Sequence, residues 1–208
     1  MSAEAIVAAA QRLDAAGMMP SKSGNLSVRD GEDVLITPAA LPYAQMTPAD
    51  IVSIDRDGIP AEGAPHRPSS EWRLHAAIYA ARSEIGAVVH THSPRATALS
   101  CARRGIPPFH YMVLLAGGPV RCAKHATFGT AALARECVTA LADRRAVLLA
   151  NHGVVAAGAT LQAAVTLALE IENLAGQYLD LRAAGLKPVL LTKKELAEAA
   201  AQFAHYGR

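Results

Sequence analysis

Two histidines separated by one residue, at the end of an apolar run, are the first place where residue type and spacing point to chemistry. His90-Thr91-His92 closes the run Ile85-Gly86-Ala87-Val88-Val89, whose β-branched content and short length predict a β-strand. Side chains two apart on a strand point to the same face at a separation of about 7 Å, so both imidazoles can reach one cation. A third is offered by Asn151-His152-Gly153, which lies between the apolar runs 146–150 and 154–157 and reads as the turn between two further strands. Three histidines with an open fourth position form a catalytic rather than a structural zinc arrangement. His75, His110, His125 and His205 lack metal-ligand spacing and are assigned to packing or solvent.

The elements around these residues follow from local pattern. Ile6, Ala9, Ala10 and Leu13 have helical spacing within Ser2 to Ala16, and Gly17 stops that helix. After the polar loop Pro20 to Asn25, Leu26 to Arg29 and Val34 to Ile36 flank Asp30-Gly31 as a hairpin. A small-residue loop, Thr37 to Pro42, leads to a helical turn opened by Thr47-Pro48 and to the strand Ile51 to Ile54. Ser69-Ser70-Glu71 opens a helix with Ser69 as N-cap, Glu71 in the first turn, and Trp72, Ala76 and Tyr79 on one face. Further helices are predicted from Pro94 to Arg103, Gly129 to Leu141, Thr160 to Ala184 and Thr192 to Ala204. Early hairpins mixed with later helices predict an α/β fold, a three-layer α/β/α arrangement with a mainly antiparallel central sheet.

Composition narrows the function classes. A chain of 208 residues suits one domain, taken as residues 1–208. The net charge is +2 with scattered Lys and Arg, which lacks the basic stripe needed to neutralise several phosphates, so no nucleic-acid partner is expected. No run approaches the roughly 18 uncharged apolar residues of a membrane span, and the N-terminus does not read as a signal peptide. Three cysteines without CxxC spacing favour a reduced, cytoplasmic protein. Gly117-Gly118 lacks the third glycine and the strand-to-helix setting of a dinucleotide site.

Taken together, SGNLSVR from Ser23, PSSEWRLHAAIY from Pro68, AVVHTHS from Ala87, IPPFHYMVLLAGG from Ile106, ATFGT from Ala126, LLANHG from Leu148 and FAHYG from Phe203 resemble the class II aldolase/adducin family. The resemblance is nearest to its L-fuculose-1-phosphate aldolase branch and spans essentially the whole chain. It implies zinc (Zn2+) on His90, His92 and His152, with Mn2+ or Co2+ as other divalent options, and Glu71 as catalytic acid/base. It further implies roles for Tyr111 and Tyr206 at the substrate, and a homotetramer with active sites between subunits. Phosphate binding is implied for Gly24 and Asn25, for the loop at Ala39 and Ala40, and for Ser69 and Ser70. The reaction implied is reversible cleavage of a ketose 1-phosphate to dihydroxyacetone phosphate and an aldehyde, on L-fuculose 1-phosphate or a related 5-deoxypentulose or methylthioribulose ester. Relatives that share the motif extend to dehydratases, decarboxylases, pentulose-5-phosphate 4-epimerases and non-enzymatic adducin-like interaction domains. One stretch departs from the pattern. Where the family has Thr-Pro-Ser/Thr-Gly, this chain reads Thr37-Pro38-Ala39-Ala40, losing a hydroxyl and a permissive glycine, while Lys22 adds a point charge expected to compensate.

Overall fold

Strand β4 (Ala87–Thr91) lies at the middle of the sheet, and every one of its residues is buried. That is the condition for an uninterrupted apolar run in place of an alternating one, because both faces of the strand are covered. The computed structural model describes residues 3–203, so Tyr206 lies outside the described residues. Among these, seven strands form one sheet in the order β3-β2-β1-β4-β7-β6-β5. These are β1 (Gly24–Asp30), β2 (Asp33–Ile36), β3 (Val52–Ile54), β4, β5 (Arg121–Ala123), β6 (Ala146–Leu149) and β7 (Gly153–Gly158). All neighbouring pairs are antiparallel except β5 with β6.

Helices cover both faces. Against the face carrying Ala87 and Val89 pack α1 (Ala3–Ala15), α3 (Pro94–Cys101) and α5 (Leu161–Ala183), which bury Ile6, Leu13, Leu99, Ile171 and Leu174. The opposite face, with Val88, Val147 and Val155, is covered by α2 (Trp72–Ala81) and α4 (Ala131–Leu141) through Leu74, Ile78, Leu133 and Leu141. The expected three layers are present. No helix among the described residues is long and apolar enough to cross a membrane.

Local signals explain the element ends. The β1–β2 hairpin closes on Asp30 opposite Asp33, with Gly31 at φ +63° in the two-residue turn. Thr130 and Thr160 cap α4 and α5 by accepting from the amides of Leu133 and Ala163, each at 3.2 Å. Before α6 (Lys193–Phe203), Thr192 and Glu195 exchange hydrogen bonds in a capping box.

The structure corrects the sequence expectation at three places. Strand β5 was not expected; its three residues are too few for a period and are held by parallel pairing with Val147 to Leu149. Helix α3 ends at Cys101, two residues early. Helix α2 begins at Trp72, with Glu71 at the N-cap position and no side-chain cap bond. Ser69 instead forms a preceding turn, in which its carbonyl accepts from Trp72 N at 3.1 Å and its hydroxyl from Glu71 N at 3.3 Å. The buried stripe of α2 is Leu74, His75, Ile78 and Tyr79; Trp72 and Ala76 are only partly covered.

Candidate active site

Three imidazoles meet where β4 ends and the β6–β7 turn returns. Antiparallel pairing sets Thr91 opposite Val154 and His90 opposite Val155, which carries the turn residue His152 to the end of β4. The turn is held from below: the carbonyl of Ser100 accepts from Asn151 N at 3.0 Å, and its hydroxyl accepts from His152 N at 3.3 Å. Gly153 is required there, because a Cβ would lie 2.5 Å from the Thr91 carbonyl and 3.1 Å from the His92 ring. Gly24 is constrained in the same way on β1, where φ is +111° and a Cβ would meet the His90 carbonyl at 2.7 Å.

The rings of His90, His92 and His152 stand edge to face with centroids 4.8 to 4.9 Å apart. His90 Nδ1 donates to the Val154 carbonyl at 3.0 Å, which turns Nε2 inward as the free ligand atom. That Nε2 lies 3.0 Å from His92 Nε2 and 3.0 Å from Glu71 Oε2, and Glu71 Oε1 is 3.4 Å from His152 Nε2. One potential ligand atom from each of the four residues falls within 4.8 Å of the others.

The electrostatics fit a cation at this point. Burial, together with the charge of His90, pulls His92 and His152 down to about 4, so both are neutral ligands near neutral pH. Burial works to raise Glu71, but His90, His152 and the Asn25 amide overcome it and hold the carboxyl well below the usual range. Glu71 in turn raises His90 against the opposing effect of burial. The pair is built to keep positive charge between them, and Glu71 Oε1 is buried with no hydrogen-bond partner among the described residues. Two neutral imidazoles, a third that would give up its proton to a bound metal, and an ionised carboxylate make a donor set suited to a divalent cation.

A cavity of about 570 Å³ opens onto this cluster. Its walls include Glu71, His92 and His152, and also every residue expected to bind phosphate: Lys22, Gly24, Asn25, Ala39, Ala40, Ser69 and Ser70. Their availability differs. The Asn25 side chain is committed to Glu71 and His75, and the Ala39 amide donates to the Arg67 carbonyl at 3.0 Å. Ser70 and Lys22 are exposed to the cavity. Ser21 and Lys22 both adopt left-handed φ, 57° and 62°, so the lysine is presented on a sharply turned backbone.

Ala40 also has φ +62°, where the pairing of Pro38 with Pro68 and the bond from Ser69 N to the Thr37 carbonyl pin the loop. An alanine in that region costs about 1 kcal/mol or more, only part of which glycine returns through its freer unfolded chain. Ala40→Gly is therefore expected to stabilise the protein by roughly 0.5 kcal/mol, read as a higher urea midpoint at unchanged slope. A lower midpoint would show that the loop does not strain Ala40.

Tyr111 is not brought to the cavity of its own chain. It starts the 3-10 turn Tyr111–Ala116, 47% exposed, stacked on His110 with centroids 4.6 Å apart and 5.8 Å from Phe203. Sequence reasoning missed Tyr43, His125 and Phe128 in the cavity wall. For the last two the signal was the ATFGT stretch, which begins one residue after His125. His75, assigned to packing or solvent, is fully buried, and it is hydrogen-bonded to the residue that holds Glu71.

Comparison with known proteins agrees with this geometry. Residues 4–179 match the family described as Class II Aldolase and Adducin N-terminal domain. The chain is 46% identical over 203 residues to a 5-methylthioribulose-1-phosphate/5-deoxyribulose-1-phosphate aldolase of Rhodospirillum rubrum, covering 97% of this chain and 90% of that protein. It is 42% identical over 192 residues to an L-fuculose phosphate aldolase of Escherichia coli, covering 92% and 88%. A solved structure of L-fuculose 1-phosphate aldolase superposes with a TM-score of 0.92 at 36% identity, covering 97% of this chain and 95% of that one.

Proposed function

We propose, on the premise that this chain belongs to the class II aldolase and adducin family, that it is a metal-dependent aldehyde-lyase. It reversibly cleaves a ketose 1-phosphate to dihydroxyacetone phosphate and an aldehyde. The substrates named for its relatives, 5-methylthioribulose, 5-deoxyribulose and L-fuculose phosphates, define the class. The observation that carries the reading is the convergence of Glu71 and three histidines in one cavity with Lys22, the Ala39–Ala40 loop and the Ser69–Ser70 turn.

His90, His92 and His152 hold the metal in this reading, with zinc the first candidate and manganese or cobalt as substitutes. A divalent cation there supplies Lewis acidity toward carbonyl and hydroxyl oxygens. The chain's own residues do the rest. Cleavage breaks the bond between the carbon next to the ketone and the hydroxyl-bearing carbon beyond it. That hydroxyl loses its proton and becomes the aldehyde, and the electron pair left on the first carbon takes a proton delivered through Glu71. The carboxylate, ionised at rest, picks that proton up from solvent during cleavage and removes it from the same carbon in the reverse direction. Oε2 of Glu71 is held by Asn25 and His90, which leaves Oε1 to carry the proton.

The hydroxyl proton is assigned to Tyr111. Its place outside the cavity of its own chain supports a homotetramer in which it serves a neighbouring subunit's site, with Tyr206 given a substrate-contacting role. The chain acts as one domain, and its three free cysteines suit the reducing cytoplasm.

Lys22 and the Ser69–Ser70 turn recognise the phosphate. DHAP release should be measured over a panel of ketose 1-phosphates and the corresponding free ketoses, with wild type and Lys22→Ala. Phosphate esters are expected to be strongly preferred, and Lys22→Ala to lower their kcat/KM about tenfold, the value of one charge-assisted contact. Equal turnover of free sugar and ester overturns the phosphate reading, while unchanged discrimination in Lys22→Ala removes only the role of the lysine.

A further inference from the structure

We propose that His75 is a positioning residue that, through Asn25, fixes which oxygen of Glu71 handles the proton; the proposal rests on the acid/base reading of Glu71. Glu71, His75 and Tyr79 are four residues apart, so they share one face along the entrance and first turns of α2. Asn25 and Ser27 are two apart and share one face of β1, where the register sets Asn25 opposite His90. The two faces meet in a buried polar chain. Asn25 Nδ2 lies 3.1 Å from Glu71 Oε2, and Asn25 Oδ1 lies 2.5 Å from His75 Nε2. His75 Nδ1 is 2.6 Å from the Ser27 hydroxyl, which is 2.8 Å from the Tyr79 hydroxyl.

Only one assignment of protons satisfies every link. The carboxylate can only accept, so the Asn25 amide nitrogen faces it and the Asn25 carbonyl faces His75. That carbonyl needs a donor, so His75 carries its proton on Nε2. Burial keeps the ring neutral, pulling it down to about 3, and its Nδ1 then accepts from Ser27. The Ser27 oxygen accepts in turn from Tyr79, whose ring lies under the Arg29 guanidinium and whose carbonyl accepts from that group at 2.8 Å. Every donor therefore points one way, from Tyr79 toward Glu71.

Such a chain does more than fill a core. With His75 donating, Asn25 cannot flip its amide without setting carbonyl against carboxylate and leaving a buried N–H facing a buried N–H. Glu71 Oε2 is thereby tied down, while Oε1, buried and without a hydrogen-bond partner among the described residues, is the oxygen left for the substrate.

The test separates positioning from packing. His75→Gln keeps an N–H where Nε2 was and can still donate to Asn25, whereas His75→Asn ends short of it and reaches only Ser27. His75→Asn is expected to lower kcat about tenfold or more through misplacement of Glu71, with metal content and KM unchanged, and His75→Gln to recover most of that loss. Independently of activity, nitrogen-15 NMR of the wild type is expected to show His75 protonated on Nε2, and the proton is expected to stay there in Ser27→Ala, where the Asn25 carbonyl still needs its donor. Equal kcat losses in both His75 variants, tracking their melting temperatures, overturn the proposal, as does a wild-type His75 protonated on Nδ1. Failure of the wild type to release DHAP from any ketose 1-phosphate overturns the aldolase reading instead, and the tautomer measurement still decides whether the polar chain runs as assigned.

Discussion

His92→Ala is expected to fold, to lose its tightly bound divalent metal and to show no measurable aldol cleavage. Of the three imidazoles, His92 is the cleanest to remove. It lies one residue beyond β4 and is partly exposed, whereas His90 is fully buried and also bonds the Val154 carbonyl. Truncating His90 would therefore empty core volume and free a buried carbonyl, mixing a stability loss with the loss of a ligand. Removing His92 leaves His90 and His152 with Glu71, and two imidazoles no longer form the three-nitrogen site on which the metal depends. Loss of even a residue supporting a metal ligand commonly costs about 10- to 100-fold in affinity or activity, so loss of a ligand itself should cost more. Metal analysis after dialysis, beside a thermal melt, checks this. A full equivalent of metal retained in His92→Ala would remove His92 from the ligand set and with it the three-histidine site.

Much of this centre was legible because its parts are local. The His90-Thr91-His92 spacing needs only a strand to bring both rings to one side, and the fully apolar run before it required a central strand covered on both faces. His152 could be placed because it sits in the turn between two apolar runs, and turns bring strand ends together. What escaped depends on pairings between distant segments. Trp72, Ala76 and Tyr79 mark one face of α2 in the sequence, but nothing local says that β1 presents Asn25 and Ser27 to His75 and Tyr79. For the same reason the ties of the Asn25 side chain to Glu71 and His75 were not legible in the sequence, although Asn25 does line the cavity. Ala40 is intermediate. The resemblance marks it as the place of a permissive glycine, and the loop there adopts φ +62° despite the Cβ.

Glu71→Gln is expected to keep both fold and metal while losing about 10²-fold or more of the proton-transfer rate, the range of a removed general acid/base. The geometry explains why the substitution is conservative in shape. Glu71 Oε2 accepts from Asn25 Nδ2 at 3.1 Å and lies 3.0 Å from His90 Nε2, so the amide oxygen of glutamine takes that position. The amide nitrogen then falls where Oε1 was, a buried atom without a hydrogen-bond partner among the described residues, 3.4 Å from His152 Nε2. All three imidazoles are kept, so the metal stays. The group that can release and recapture a proton is lost. The direct measurement is exchange of the carbon-bound proton of dihydroxyacetone phosphate with heavy water, followed by NMR, because it isolates proton transfer from binding of the aldehyde. Exchange at the wild-type rate in Glu71→Gln would mean that another group moves the proton, and would leave Glu71 as a residue that only balances the charge of the histidine cluster.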